Sequence, residues 1–127
     1  MLSLWFERRH NVLMARVAGV LSSEDLEMHD TAVLRFLAGR TGVRAIYDLS
    51  AVEALAIPRS KIALRGRQPA MVSGQRVVVA HRPAGQEFAR IIRDQQSSVG
   101  LPEPWIVPDL EQAYSLLQMG AAHFEPV

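Results

Sequence analysis

VRAIYDLSAVEALAIPRSKIALRGR, residues 43–67, carries the decision about the fold. Its first part, Val43 to Leu49, is a short apolar run ending in Asp48 and Ser50. The run is too short for a helix before the next turn signals, and reads as a central parallel strand buried on both faces. Ala51 to Ile57 reads as a loop. Pro58 then supplies a first-turn helix signal, and Gly66 and Pro69 stop that helix. Strand, turn and helix N-terminus in this order make half of a βαβ unit, the arrangement at whose strand ends α/β proteins place their sites.

The segments on either side extend the same pattern. Leu2 to Arg8 alternates, with Leu2, Leu4 and Phe6 on one face and Ser3, Trp5 and Glu7 on the other, as a strand requires. His10-Asn11 is a short turn, and Val12 to Val20 alternates again, so the chain opens with a hairpin. Ser22 or Ser23 caps a helix whose first turn carries Glu24, Asp25 and Glu27, where negative charge suits the helix dipole; Gly39 and Gly42 end it. His29 falls near the inner edge of this helix and reads as a half-buried surface residue. Leu64 is expected to face partly inward with Ile62. Downstream, Arg76 to His81 (RVVVAH) is a buried strand, and Pro83 starts a helix with Phe88, Ile91, Ile92, Gln95 and Val99 on one stripe. Trp105 to Val107 is a short edge strand between prolines, and Asp109 caps a last helix with Gln112 at the capping-box position. The tail after Gly120 is expected to fray or dock weakly. The order β-β-α-β-α-β-α-β-α predicts one α/β domain over residues 1–127, a mixed sheet with an opening hairpin, then parallel βαβ crossovers, covered by helices.

A chain of 127 residues supports one domain with its own core. The absence of cysteine excludes disulfides, thiolate metal sites and cysteine nucleophiles, and suits a reducing compartment. With no apolar run long enough to span a bilayer and no secretory leader pattern, the expectation is a cytoplasmic protein, not an integral membrane protein. A net charge of +1 gives no general pull toward nucleic acid. The charge is unevenly spread: from Glu53 to Glu87 no acid intervenes, while six cations occur, Arg59, Lys61, Arg65, Arg67, Arg76 and Arg82. The four histidines are scattered, and neither a metal nor a nucleotide motif is present, so no cofactor is expected.

The element order, and the strand ending Asp48-Leu49-Ser50-Ala51-Val52-Glu53 before a helix, resemble the STAS fold of the anti-sigma-factor antagonists, and in particular the SpoIIAA-like (STAS/SEC14-type) bacterial proteins. The likeness covers nearly the whole chain. Anti-sigma-factor antagonists carry Asp-Ser-Ser-Gly at the start of the helix after this strand, with a serine that a partner kinase phosphorylates. The matching positions here are Ala56, Ile57, Pro58 and Arg59. Proline has no hydroxyl, so the resemblance implies a domain without the usual phosphoswitch; Ser60 lies close by but at a different place on the helix.

The carboxyl edge of the parallel strands should gather Asp48, Ser50, His81 and Arg82 near the helix that begins Pro58, Arg59, Ser60 and Lys61. Cations at a helix N-terminus oppose the dipole, which suits an anion or an acidic partner there. Ser50, His81 and Asp48 include the residue types of a hydrolase triad, but there is no Gly-x-Ser-x-Gly elbow and no oxyanion loop. The expected function is a non-catalytic binding or regulatory module that docks a protein partner or a second copy of itself. The alternative is a carrier of a small anionic or lipid-like ligand held between the Pro58 helix and the sheet.

Overall fold

The computed structural model describes residues 1–127. Its elements are β1 (Leu2–Glu7), β2 (Val12–Ser22), α1 (Ser23–Leu37), β3 (Arg44–Ala56), α2 (Arg59–Gly66), β4 (Arg76–Val79), α3 (Pro83–Ser98), β5 (Trp105–Val107), α4 (Leu110–Leu116) and β6 (Glu125–Pro126). One sheet holds all strands in the order β5-β4-β3-β2-β1-β6. β1 runs antiparallel to β2, the steps from β2 to β5 are parallel, and β6 returns antiparallel to β1.

Local chemistry explains most boundaries. Asn11 turns the hairpin with φ 57°, a left-handed conformation that asparagine tolerates better than most residues. Ser22 is the cap of α1: its hydroxyl accepts from the Asp25 amide at 3.2 Å, while the Asp25 carboxylate accepts from the Ser22 amide at 2.9 Å. Pro83 opens α3, where its missing N–H costs nothing. Asp109 caps α4 by accepting from the Gln112 amide at 2.8 Å.

Two layers flank the sheet. On one side α4 packs Ala113 and Leu117 against Val12, Met14, Ile46, Val77, Val79 and Val107. On the other, α1, α2 and α3 cover Leu13, Val17, Ala45, Leu49 and Val78, with Val33, Ile62 and Ala89 as their buried contributions. The alternation of β3 divides its side chains between the layers, so Ile46 and Asp48 face α4 while Tyr47 and Leu49 face the other helices.

Three expectations change. β3 does not stop at Leu49: it continues to Ala56, so the expected loop at Ala51 to Ile57 is mostly strand. This extension pairs only with β2, from Ala18↔Ala51 to Ser22↔Ala56, with register shifts between Arg16 and Ala18 and between Gly19 and Val20. It forms a two-stranded ribbon beyond the body of the sheet, since β4 reaches only as far as Asp48. The tail does not fray either: β6 pairs with Trp5 and Phe6, the Val127 amide donates to the Leu4 carbonyl, and Ala122 and Phe124 pack on the α4 core. Within α2 only Ile62 and Gly66 are buried; Leu64 is 59% exposed because it stands two residues, about 200°, from Ile62.

Candidate functional site

The layer of three helices does not close tightly on the sheet. Between α1, α2, α3 and strands β2 to β4 lies an open cavity of about 520 Å³. Its wall is largely apolar: Val17 and Leu49 come from the sheet, Leu26 from α1, Leu64 from α2, and Phe88 and Ile92 from α3. Small side chains create the space. Ala15 on β2 and Ala89 on α3, both buried, stand where larger residues would fill it.

A polar cluster sits on this wall. Arg65 of α2 reaches across to Asp30 of α1 in a two-pronged ion pair, Nη1 to Oδ2 at 2.8 Å and Nη2 to Oδ1 at 2.6 Å. The pair spans two helices whose other contacts are separated by the cavity. Because both groups keep solvent contact, the bridge contributes on the order of 1 kcal/mol or less. His29 adjoins it, with Nδ1 2.9 Å from Asp30 Oδ1 and 3.3 Å from Arg65 Nη2. Its ring centroid lies 5.7 Å from that of Tyr47, and its Nε2 is buried without a hydrogen-bond partner. His29 is only 8% exposed, more buried than a helix-edge residue should be, because the ring turns inward toward Tyr47.

Burial holds the His29 imidazole below its ordinary 6.5, and the Arg65 charge adds to this against the opposing pull of Asp30. For Asp30 burial pushes upward, but the hydrogen bonds from Arg65 and His29 outweigh it and the carboxyl stays below its usual range. Burial raises the Tyr47 phenol, with Arg76 and Arg65 opposing. A histidine depressed in the folded state binds fewer protons than its unfolded counterpart just below pH 6.5. Its contribution is therefore present above that pH and lost as pH falls. Guanidinium denaturation midpoints should drop between about pH 7.5 and about pH 5.5, and His29→Gln should flatten the slope. An unchanged slope in that variant would assign the effect elsewhere.

The residues singled out in the sequence divide into separate groups. Asp48 and Ser50 lie on the α4 side: Ser50 donates its hydroxyl to Asp48 Oδ1 at 2.6 Å and its amide at 3.0 Å, and Arg16 Nε donates to Asp48 Oδ2 at 2.9 Å. Asp48 is 1% exposed, a buried carboxylate fully occupied by these partners. The Ser50 hydroxyl is engaged by Asp48 and not by His81, so the three do not form a relay. Pro58 caps α2 without a side-chain hydrogen bond, and Arg59 pairs with Glu87 at the surface. Ser60, His81 and Arg82 are exposed. Of these residues only Lys61 reaches the cavity wall. The acid-free run does not make one patch: Arg59 and Arg65 find acids, Arg67 donates to Gln95 Oε1 at 2.8 Å, and Lys61, Arg65 and Arg76 share the cavity.

Sequence reasoning missed the cavity and two of its inner polar residues, Tyr47 and Gln96, and took the third, His29, for a half-buried surface residue. The one signal was a tyrosine, Tyr47, inside an otherwise apolar strand and an arginine, Arg76, at the head of the next.

No family model and no curated protein matches the chain. Solved structures do. An anti-sigma factor antagonist from Mycobacterium paratuberculosis superposes with a TM-score of 0.59 at 23% identity, over 93% of this chain and 95% of that one. An uncharacterised protein with a SpoIIAA-like fold from Shewanella loihica gives 0.56 at 17% identity, covering 92% of each chain. The anti-sigma factor antagonist SpoIIAA in its unphosphorylated form gives 0.56 at 14% identity, over 95% of this chain and all of that one. The chain thus has the STAS/SpoIIAA-like fold along nearly its full length. No helix is long and apolar enough to cross a membrane.

Proposed function

We propose that this SpoIIAA-like domain is a non-catalytic binding module whose cavity holds a small amphipathic molecule. The supporting observation is the cavity of about 520 Å³ between α2 and the sheet, within the range of small-ligand sites, apolar in most of its lining and bearing a few convergent polar groups. This favours the carrier reading of the sequence over simple surface recognition. Medium-chain amphiphiles added to the purified protein should be retained in native mass spectrometry and should raise the melting temperature, since a ligand at roughly a hundred times its Kd stabilises by about 2.7 kcal/mol. Ala70→Trp, at an exposed position on the cavity wall, should block both effects without touching the buried core. No retention by the wild type across such a series would defeat the proposal.

A second reading rests on the exposed rim of α2 at the mouth of the cavity, where Leu64 is 59% exposed on the same short helix as Arg59 and Lys61. Such a surface suits an acidic protein partner or a second copy of the chain. Two of the structural neighbours are anti-sigma factor antagonists, proteins that act against another protein. With Pro58 at the helix cap, docking here would proceed without a phosphorylated serine at that position. Light scattering and partner capture with Leu64→Arg and Arg59→Glu/Lys61→Glu check this reading. Loss of the captured species is expected, and unchanged capture in both variants removes the surface from consideration.

A further inference from the structure

The two ends of the cavity differ in chemistry. β3 and β4 are parallel, with Arg76 opposite Ala45 and Val79 opposite Asp48, so Arg76 lies at the amino end of the parallel strands. α3 runs back across the sheet and brings Gln96, near its C-terminus, to the same end. The opposite end is floored by Leu21, Leu49 and Ile57, with Asp25 and Lys61, an acid and a base, from the first turns of α1 and α2.

At the Arg76 end the protein offers donors without a matching acceptor. A guanidinium has five N–H groups. Arg76 uses two, donating from Nη1 to Gln96 Oε1 at 3.2 Å and from Nη2 to the Pro102 carbonyl. It stands in none of the ion pairs of the chain. Gln96 is 4% exposed and lines the cavity. Its oxygen is taken by Arg76, which leaves the amide nitrogen without a protein partner, and that nitrogen is not sealed from the cavity. Tyr47, the next cavity residue on β3, makes no side-chain hydrogen bond to the protein, and the Arg76 charge acts on its phenol. A half-buried cation without a counter-ion is costly, and the two neutral carbonyl oxygens that accept from Arg76 offset only part of that cost. An acceptor carrying one negative charge satisfies all three donors.

We infer that the occupant of the cavity carries a single carboxylate-like anionic head, seated against Arg76, Gln96 and Tyr47, with its apolar chain running along the cavity toward Leu21 and Ile57. This rests on the reading that the cavity holds an amphiphile. At this end Arg76 is the one cation without an ion pair and sets the charge of the head; Lys61, also unpaired, belongs to the first turn of α2, beside Ile57 at the far end. Arg65 is committed to Asp30, so no second positive charge is left at this end for a doubly charged phosphate, and a monoanion needs none. The head sits at the amino end of the strands, on the opposite end of the sheet from Asp48, Ser50, His81 and Arg82.

The test is a series with one tail and four heads, titrated calorimetrically below micelle formation: decanoate, decyl phosphate, decanol and decylamine. Decanoate should bind at least about tenfold tighter than decanol, as expected for a charge-assisted hydrogen bond, and decylamine should be weakest. Arg76→Met should erase the advantage of decanoate over decanol while leaving decanol within about threefold of wild type. Tyr47→Phe should reduce decanoate affinity several-fold and serves if Arg76→Met fails to fold by circular dichroism. If decanoate and decanol bind alike to the wild type, the head assignment is wrong and the cavity reading survives. Tighter binding of decyl phosphate or decylamine than of decanoate overturns the assignment of a monoanion. If none of the four binds, the cavity reading itself falls.

Discussion

Ile62→Ala should lower the stability of the domain by about 3 kcal/mol, a melting-temperature drop of roughly 10 °C. Ile62 is fully buried and is the one large side chain that α2 places in the core, among residues such as Leu21, Leu49, Ile57 and Ala89. Truncation removes its transfer free energy and leaves a hole next to an existing cavity, which the helix cannot collapse into without dragging Arg65 from Asp30. The neighbouring Leu64→Ala is the internal control. Leu64 is 59% exposed, so its loss should move stability by no more than about 0.5 kcal/mol. Thermal and chemical denaturation of the two variants side by side measure the contrast. Equal effects would mean that α2 is not anchored where the structure puts it. Ligand retention should fall in Ile62→Ala as well, because the roof of the cavity is the helix that has come loose.

Gly66→Ala should destabilise by about 2 kcal/mol, against the usual benefit of removing a glycine from a helix. A Cβ on Gly66 would lie 2.7 Å from Gln95 Cβ, 3.1 Å from the Ile92 carbonyl oxygen and 3.2 Å from Ile92 Cα. These are atoms of α3 close to its axis, not the ends of flexible side chains. The propensity gain of roughly 0.5–1 kcal/mol is smaller than the cost of prising two helices apart, about 1–3 kcal/mol. Gly120→Ala is the comparison, since nothing lies within 4 Å of a Cβ there. A stabilised Gly66→Ala protein, or equal effects at both glycines, would contradict the close approach of α2 to α3. Ile62 and Gly66 together fix α2 on the α3 side. Toward α1 the helix is held by the Arg65–Asp30 bridge, and that is where the cavity opens more cheaply.

The fold was largely legible in the chain because its signals are local. Alternation marks β1 and β2, Ser22 with Asp25 and Asp109 with Gln112 mark helix starts, and Pro83 marks α3. The errors arose where non-local pairing decides. The ribbon at Ala51–Ala56 contains Glu53 and three alanines, a composition with weak strand preference, and it is strand because β2 lies alongside. β6 contains Pro126, and only its pairing with Trp5 and Phe6 makes it an element. The site was less legible than the fold. The carboxyl-edge rule led to Asp48 and Ser50, which are instead tied to each other and to Arg16 under α4. A cavity has no sequence period. It arises where Ala15, Ala89 and Tyr47, far apart in the chain, meet across a gap.

The overhanging part of β3 has a further consequence for behaviour in concentrated solution. From Ala51 to Ala56 its outer margin faces no strand, and exposed backbone of this kind can template addition of a foreign segment. The side chains there discourage it. Glu53 is exposed and charged, the alanines are too small to interdigitate, and the register shifts twist the strand. Its amides should exchange with deuterium sooner than those of Ala45–Asp48, and Glu53→Val should leave the monomer folded while shortening the lag before thioflavin-positive fibres form.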